Sequence, residues 1–184
     1  MVDIRRLSLE GLFEILPARF GDERGFFSET YNSKSLADSG IALDFVQDNH
    51  SLSARAGVLR GLHFQLPPFA QDKLVRVAHG RIFDVAVDIR SGSPSFGKWL
   101  GTELSAEKWN QLLVPKGFAH GFLTLEPNTE VLYKVTALYS PEHERTIRYD
   151  DPDIGIDWPF ETDALILSDK DKAAPLLKET ATLF

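Results

Sequence analysis

Residues 74–90, LVRVAHGRIFDVAVDIR, alternate apolar and polar side chains in two runs on either side of His79 and Gly80. A period of two is the pattern of a half-buried β-strand, and a glycine between two such runs is typical of a tight hairpin turn. The stretch therefore predicts an antiparallel hairpin. The strand after the turn presents one apolar row, formed by Phe83, Val85, Val87 and Ile89.

Asp84, Asp88 and Arg90 lie on the opposite face of that predicted strand. Asp84 is either buried with a partner or solvated, and a solvated carboxylate is the more common case. We therefore expect Asp84 to face water.

Other short segments repeat the extended pattern at regular spacing along the chain. Their number predicts an all-β fold, an antiparallel sandwich or barrel in which helices are minor. A length of 184 residues suits one domain, covering residues 1–184. The predicted strands are residues 26–31 after a turn at 21–25, 45–51, 99–104, 111–114, a strand carrying His120 and Phe122, and 130–140.

Two short helices complete this prediction. The first covers residues 32–41, where Ser33 is a candidate cap and Gly40 a candidate end. The second covers about residues 173–179, because Pro175 is tolerated in a first helical turn.

Residues 130–140 place Tyr133 and Tyr139 on the same side of a predicted strand. At about 3.3 Å per residue the two rings are about 20 Å apart. That separation is too large for one small group but suits the two ends of a long ligand.

Composition excludes several classes of function. The chain has 20 Lys+Arg against 27 Asp+Glu, a formal net charge of −7, which argues against nucleic acid or an anionic membrane as a bulk partner. An anionic ligand would need local positive charge. The absence of cysteine removes disulfides, thiolate nucleophiles and cysteine-bound zinc. Without a signal peptide or a run of about 20 apolar residues, we expect a soluble, cytoplasmic protein.

Residues 57–77 concentrate the candidate chemistry, because Arg60, His63 and Lys73 lie within apolar, strand-like sequence. Each of them alone is more often structural, solvated or salt-bridged, but together they offer an anion site and a base. Strict alternation puts Arg60 and His63 on opposite faces of a strand. Both can enter one site only if the strand has a bulge, which we expect at Gly61.

Three chemistries compete for this cluster. A metal-dependent β-barrel enzyme usually has two histidines one residue apart, whereas His63 is followed by Phe64 and Gln65, so the metal hypothesis is weak. Nucleophilic catalysis lacks both cysteine and a recognisable serine elbow. General acid–base chemistry fits better, with a histidine base, a tyrosine acid and a lysine beside the developing negative oxygen. Such groups suit proton abstraction next to a carbonyl.

The chain resembles the dTDP-4-dehydrorhamnose 3,5-epimerase family of cupin-fold enzymes over nearly its whole length. The matching segments are FGDERGFFSETYN, FVQDNHS, GVLRGLHFQ, KLVRVAHGRIFDVAVDIRSGSPSFGKW, LSAE, VPKGFAHGFLTL, EVLYKVTALYSPEHERTIRYDDPDIGIDWP and LSDKD. The resemblance implies a jelly-roll barrel and a homodimer that uses no metal or other cofactor. It also implies a substrate, dTDP-4-dehydro-6-deoxy-D-glucose, that is inverted at C3 and C5.

The resemblance also assigns roles to residues of this chain. His63 corresponds to the general base, Asp171 to the carboxylate that holds it, Lys73 to a group beside the C4 keto oxygen, and Tyr133 to the proton donor on the opposite face. Tyr139 corresponds to the ring that stacks on thymine. Positions that bind the nucleotide sugar are Arg24, Glu29, Gln47, Asn49, Arg60, Lys73, His120, Tyr139, Glu144 and Lys170.

Three alternatives stay open at this point, and one of them is a metal-dependent cupin, the weak hypothesis given above. A mono-epimerase of the same superfamily would invert one carbon only. A sugar-nucleotide-binding module without chemistry would keep Arg60, Lys170 and Tyr139 but would need neither His63 nor Tyr133.

Overall fold

A computed structural model of the chain describes residues 2–180 and 184. Thirteen strands are present in that part of the chain, and the all-β prediction is confirmed. The strands are β1 Val2–Arg6, β2 Phe13–Pro17, β3 Phe20–Asp22, β4 Gly25–Phe27, β5 Gln47–Ser53, β6 Leu59–Gln65, β7 Lys73–His79, β8 Arg81–Asp88, β9 Trp99–Ser105, β10 Gln111–Val114, β11 Phe118–Thr124, β12 Thr129–Val135 and β13 Glu144–Thr146.

The strands form two packed sheets and one small hairpin. The first sheet has the order β1-β2-β10-β7-β12-β5, the second has the order β13-β6-β11-β8-β9, and β3 pairs with β4. The pairings between strands are antiparallel, as in a jelly roll. Within the described residues these pairings do not close the sheets into a continuous barrel.

The hairpin predicted for residues 74–90 is wrong. Strand β7 pairs with β10 and β12 in the first sheet, whereas β8 pairs with β11 and β9 in the second. The turn at Gly80 therefore carries the chain from one sheet to the other. Gly80 has φ +78, and a Cβ there would lie 2.4 Å from Thr129 Oγ1, so both conformation and space require glycine.

The main core lies between the two sheets. It joins side chains of the first sheet, such as Val75 and Val131, to side chains of the second, such as Ile82 and Phe122. The apolar row of β8 faces away from this core, and Val85, Val87 and Ile89 pack with Ile147, Ile154 and Leu177 of the C-terminal part of the chain. Asp84 consequently faces the space between the sheets.

The helices are short. Helix α1 covers Ser33–Asp38, and its cap is Asn32 rather than Ser33, because the Asn32 side chain accepts a hydrogen bond from Ser35 N. Helix α2 covers Asp169–Lys172, so the prediction of a helix over 173–179 is wrong apart from a 3-10 turn at Leu177–Glu179. A further 3-10 turn covers Thr162–Ala164. In the described part of the chain, no helix has the length and apolar character needed to cross a membrane.

Candidate active site

A cavity of about 400 Å³ opens between the two sheets. Strands β6 and β11 of the second sheet contribute Arg60, His63 and His120, while β7 and β12 of the first sheet contribute Lys73 and Tyr133. Helix α2 contributes Asp171 to the same wall. The structure therefore brings together residues that are distant in sequence but were predicted to act together.

A bulge in β6 lets both Arg60 and His63 reach this cavity. On β11, His120 pairs with His63 and Phe122 pairs with Arg60, so two residues of β6 lie opposite one residue of β11. Gly61 has φ +129, and a Cβ on it would come within 2.5 Å of the Gly121 Cα. The predicted bulge at Gly61 is confirmed.

His63 is held by a buried carboxylate. Its Nε2 lies 2.6 Å from Asp171 Oδ1, while the Ser168 hydroxyl donates to Asp171 Oδ2 at 2.8 Å. Burial alone would raise the pKa of Asp171, but the hydrogen bonds and charge of its partners, His63 first among them, lower it. Because Nε2 donates to an ionised carboxylate, Nδ1 is the nitrogen of His63 that is free to accept a proton.

Lys73 is a buried cation next to His63. Its side chain is 8% exposed, and Nζ donates to the His63 carbonyl oxygen at 3.2 Å. Burial lowers the pKa of Lys73 to about 8, although the negative charges of Asp84 and Glu144 oppose that shift. Lys73 is therefore charged at neutral pH and close to its titration.

Tyr133 enters the cavity from the first sheet, on β12. Burial raises the pKa of its hydroxyl, and the nearby Arg60 charge only partly offsets that effect. Tyr133 is thus protonated at neutral pH and is able to donate a proton.

His120 forms a second histidine–carboxylate pair. Its Nε2 lies 2.9 and 3.0 Å from the two Asp84 oxygens, and Asp84 is 0% exposed. The expectation that Asp84 faces water is wrong, because its strand face turns toward the gap between the sheets. Alternation gave the correct face, but only the sheet arrangement shows that this face is buried.

An adjoining cavity of about 220 Å³ is bordered by Gln47, Asn49, Tyr139 and Glu144, and also by His63, Lys73 and Tyr133. Glu144 accepts from the Tyr139 hydroxyl at 3.0 Å and forms an ion pair of 2.6 Å with Lys170. Burial alone would raise the pKa of Glu144, but these two partners and the His63 charge lower it.

The predicted spacing of the two tyrosines does not apply. Strand β12 ends at Val135, so Tyr139 lies on an irregular segment and not on the same strand as Tyr133. Both residues nevertheless border the adjoining cavity.

Gln47 uses its amide on the protein itself. Its Nε2 donates to Asn49 Oδ1 at 2.8 Å, and its Oε1 accepts from Tyr139 N at 3.0 Å. Arg60, in contrast, makes no short hydrogen bond through its guanidinium among the described residues. Its contacts there are 3.5 Å long, to Leu52 O and Ser53 Oγ. Arg60 is thus available to an anionic ligand.

Three predicted binding residues, Arg24, Glu29 and Lys170, do not border either cavity, although Lys170 pairs with Glu144, which borders the second one. Arg24 is in the β3–β4 hairpin with its side chain 85% exposed, and it is paired with Asp22. Glu29 borders a separate cavity of about 250 Å³ together with Phe20 and Phe27.

Several residues near the site were not among the predicted ones, and Ser168, which donates to Asp171, is one of them. Asp84 holds His120, as described above. Gln65 and Gln71 border the adjoining cavity, and both bind backbone groups of the segment that carries Tyr139. The alternation of β6 puts Gln65 on the same face as His63, which is the signal that could have identified it.

The arrangement combines a base, an acid and cations in one cleft. His63 can accept a proton, Tyr133 on the opposite sheet can donate one, and Lys73 can stabilise a negative oxygen between them. Arg60 and Lys73 supply positive charge inside the cavity, which an anionic ligand needs in a chain of net charge −7, and Lys170 lies beside the adjoining cavity in its ion pair with Glu144.

Comparisons with known proteins point to one family of enzymes. The profile of the dTDP-4-dehydrorhamnose 3,5-epimerase family matches residues 6–179. The dTDP-4-dehydrorhamnose 3,5-epimerase of Sinorhizobium fredii is 53% identical over 178 residues, which cover 97% of this chain and 91% of the relative.

Two solved structures have the same fold. The dTDP-4-dehydrorhamnose 3,5-epimerase of Bacillus anthracis, with TDP and PPi bound, has a TM-score of 0.92 and 49% identity, covering 96% of this chain and 99% of the other. A dTDP-6-deoxy-D-glucose-3,5-epimerase of Legionella pneumophila, in complex with dTDP-4-keto-L-rhamnose, has a TM-score of 0.92 and 49% identity, covering 97% and 94%. With a family match over residues 6–179 and these identities, the chain belongs to the dTDP-4-dehydrorhamnose 3,5-epimerase family of isomerases.

Proposed function

We propose that the chain converts dTDP-4-dehydro-6-deoxy-D-glucose to dTDP-4-dehydro-L-rhamnose by inverting C3 and C5, a step of dTDP-L-rhamnose synthesis, without a metal or other cofactor. The observation that carries the proposal is the His63–Asp171 pair beside Lys73 and Tyr133 in one cavity. Support for the substrate comes from family membership and from the dTDP-sugar in the Legionella relative.

The proposed reaction runs twice, once at each carbon next to the C4 carbonyl. His63 removes the proton from that carbon, and the electron pair of the C–H bond moves into the carbonyl to give an enolate. Lys73 stabilises the enolate oxygen, and Asp171 stabilises the imidazolium of His63. Tyr133 then returns a proton to the opposite face, which inverts the carbon.

Substrate binding divides between the two cavities. We assign Arg60, His120 and Lys170 to the sugar diphosphate, and Gln47, Asn49, Glu144 and Tyr139 to the nucleoside, where Tyr139 stacks on the nucleobase. Lys170 lies next to the second group, because it pairs with Glu144. Two observations support this division: the guanidinium of Arg60 makes only long contacts of 3.5 Å among the described residues, and Tyr139 is exposed beside Glu144.

The chain acts as a homodimer in this proposal. Arg24 and Glu29 lie outside the two cavities of their own chain, and the β3–β4 hairpin exposes Phe20, Phe26 and Phe27 at 61%, 53% and 70%. An exposed aromatic hairpin with a cation is suited to reach the site of a neighbouring copy.

Deuterium exchange tests the reaction. The protein is incubated with the dTDP-4-keto sugar in D2O, and NMR follows the hydrogens at C3 and C5. We expect deuterium at both carbons. Exchange at C3 or C5 alone would instead identify a mono-epimerase, and exchange at neither would leave a binding module.

A histidine variant tests the base. We expect His63→Ala to lower turnover by about 10²-fold or more while the fold is kept. His79→Ala is the matched control, because His79 is exposed and contacts Asn128 O rather than either cavity. Unchanged turnover in a folded His63→Ala protein would remove His63 from the mechanism.

A further inference from the structure

Glutamine side chains hold the segment of residues 137–140, which carries Tyr139. Gln71 Nε2 donates to Ala137 O at 2.8 Å, and Gln65 Nε2 donates to Leu138 O at 3.2 Å. Gln47 Oε1 accepts from Tyr139 N at 3.0 Å, and Gln65 Oε1 accepts from Ser140 N at 2.7 Å. Each of the four residues thus has one backbone group bound by a glutamine.

The three glutamines come from separate parts of the chain. Gln47 begins β5, Gln65 ends β6, and Gln71 precedes β7, so the segment is tied to both sheets. Gln65 is 4% exposed and also donates to Phe69 O at 2.7 Å, which fixes its amide orientation from both ends. A buried amide with all these partners is a rigid support.

Apolar burial does not hold this segment. Leu138 is 60% exposed and Tyr139 is 55% exposed. With little hydrophobic contact, the position of Tyr139 depends on hydrogen bonds: the glutamines bind the backbone of its segment, and Glu144 accepts from its hydroxyl.

We infer that Gln65 and Gln71 are positioning residues that act through Tyr139 in recognition of the nucleobase. This inference rests on the proposed function. By fixing residues 137–140 they pre-organise the ring that stacks on the base. Gln47 adds to this support through Tyr139 N and also borders the cavity proposed for the nucleoside. Their effect is confined to ligands that carry a base, because the diphosphate is bound by cations elsewhere in the site.

Hydrogen exchange on the free protein tests the support itself. In Gln65→Met, we expect the Ser140 amide to exchange about tenfold faster or more, because its acceptor is gone. Asn110→Leu is the matched control. Asn110 is 3% exposed and also makes three amide hydrogen bonds, to Glu14, Glu103 and Ser105, but it borders neither cavity.

Ligand binding tests whether the glutamines affect recognition of the nucleobase. By calorimetry, we expect Gln65→Met to weaken dTDP binding about tenfold and Gln71→Met about threefold, with binding of inorganic pyrophosphate unchanged. Asn110→Leu should lower stability without changing the ratio of the two affinities. In the Tyr139→Ala background, Gln71→Met should weaken dTDP binding no further, because the glutamine acts through Tyr139.

Two results would overturn the inference. One is an equal loss of dTDP and pyrophosphate affinity in Gln71→Met, and the other is a full additional loss in the Tyr139→Ala background. A parent protein that binds no dTDP would overturn the proposed function instead, and exchange at Ser140 in the free protein would still decide whether Gln65 holds the segment.

Discussion

Lys73 combines burial with a charge that the proposed reaction requires. Burial lowers its pKa to about 8, so the ammonium is present below that pH and is lost above it. We therefore expect kcat/KM to fall as the pH rises through about 8, because a neutral amine stabilises an enolate poorly. The pH profile of the initial rate is the measurement.

A lysine variant assigns this alkaline limb of the profile. Lys73→Met should lower turnover by about 10²-fold or more, and its remaining activity should no longer fall near pH 8. An alkaline limb that persists in Lys73→Met would belong to another group.

Individual residues of the candidate site could be predicted from sequence where their motif carries the resemblance, as for His63 and Asp171, which the structure pairs in one cavity. Asp84 could not, because alternation shows which residues share a face but not whether another sheet covers that face. The support by Gln65 was also missed, since its partners lie on a segment 73 and 75 residues further along the chain. Contacts of this kind depend on the tertiary fold.

Among the elements, β7 and β8 show how a correct strand prediction can give a wrong pairing. Both strands lie close to where alternation places them, at Lys73–His79 and Arg81–Asp88. Their short connection suggested a hairpin, but both strands are central in different sheets. Local turn chemistry cannot reveal this, because the partners of each strand come from later in the chain. The crossing also puts Lys73 on one sheet and Asp84 on the other.

One buried carboxylate, that of Asp88, holds the loop after β8, and its contribution to the stability of the protein is testable. Asp88 is 0% exposed and accepts from Arg90 at 2.8 and 2.9 Å, from Ser93 at 2.6 Å and from Ser95 at 2.7 Å. Burial alone would raise the pKa of Asp88, but these hydrogen bonds lower it from 3.8 to about 2. We expect Asp88→Asn to lower the free energy of unfolding by about 2–4 kcal/mol.

The pH dependence of that difference has a definite sign. Because the folded pKa is below the unfolded value, the Asp88 carboxylate stabilises the protein fully above about pH 4, and the effect is lost as the pH falls through about 2. Urea denaturation of the parent protein and of Asp88→Asn should show that the difference in their free energies of unfolding becomes smaller as the pH falls from about 4 to about 2. A gap that stays constant from pH 6 to pH 2 would show that ionisation of Asp88 is not its source.

At the scale of the whole molecule, the important property is the distribution of the candidate-site residues between the two sheets. His63 and Arg60 are on the second sheet, whereas Lys73 and Tyr133 are on the first, so a sugar bound between the sheets would have groups on both of its faces. The proposed inversion needs this separation of base and acid. The all-β class could be predicted from alternation, but the division between sheets required the strand order.

The last prediction concerns two copies of the chain. If Arg24 and Glu29 serve a neighbouring site, light scattering should give twice the chain mass of 20.6 kDa.

Mixed dimers test whether Arg24 acts in the site of the neighbouring copy. Arg24→Ala and His63→Ala homodimers should each have low activity. Co-refolding them in equal amounts makes about half of the dimers mixed, and each mixed dimer has one site with neither defect. We therefore expect about one quarter of parental activity, from the statistics of pairing. Activity no higher than the average of the two separate variants would show that Arg24 acts in its own chain or not at all.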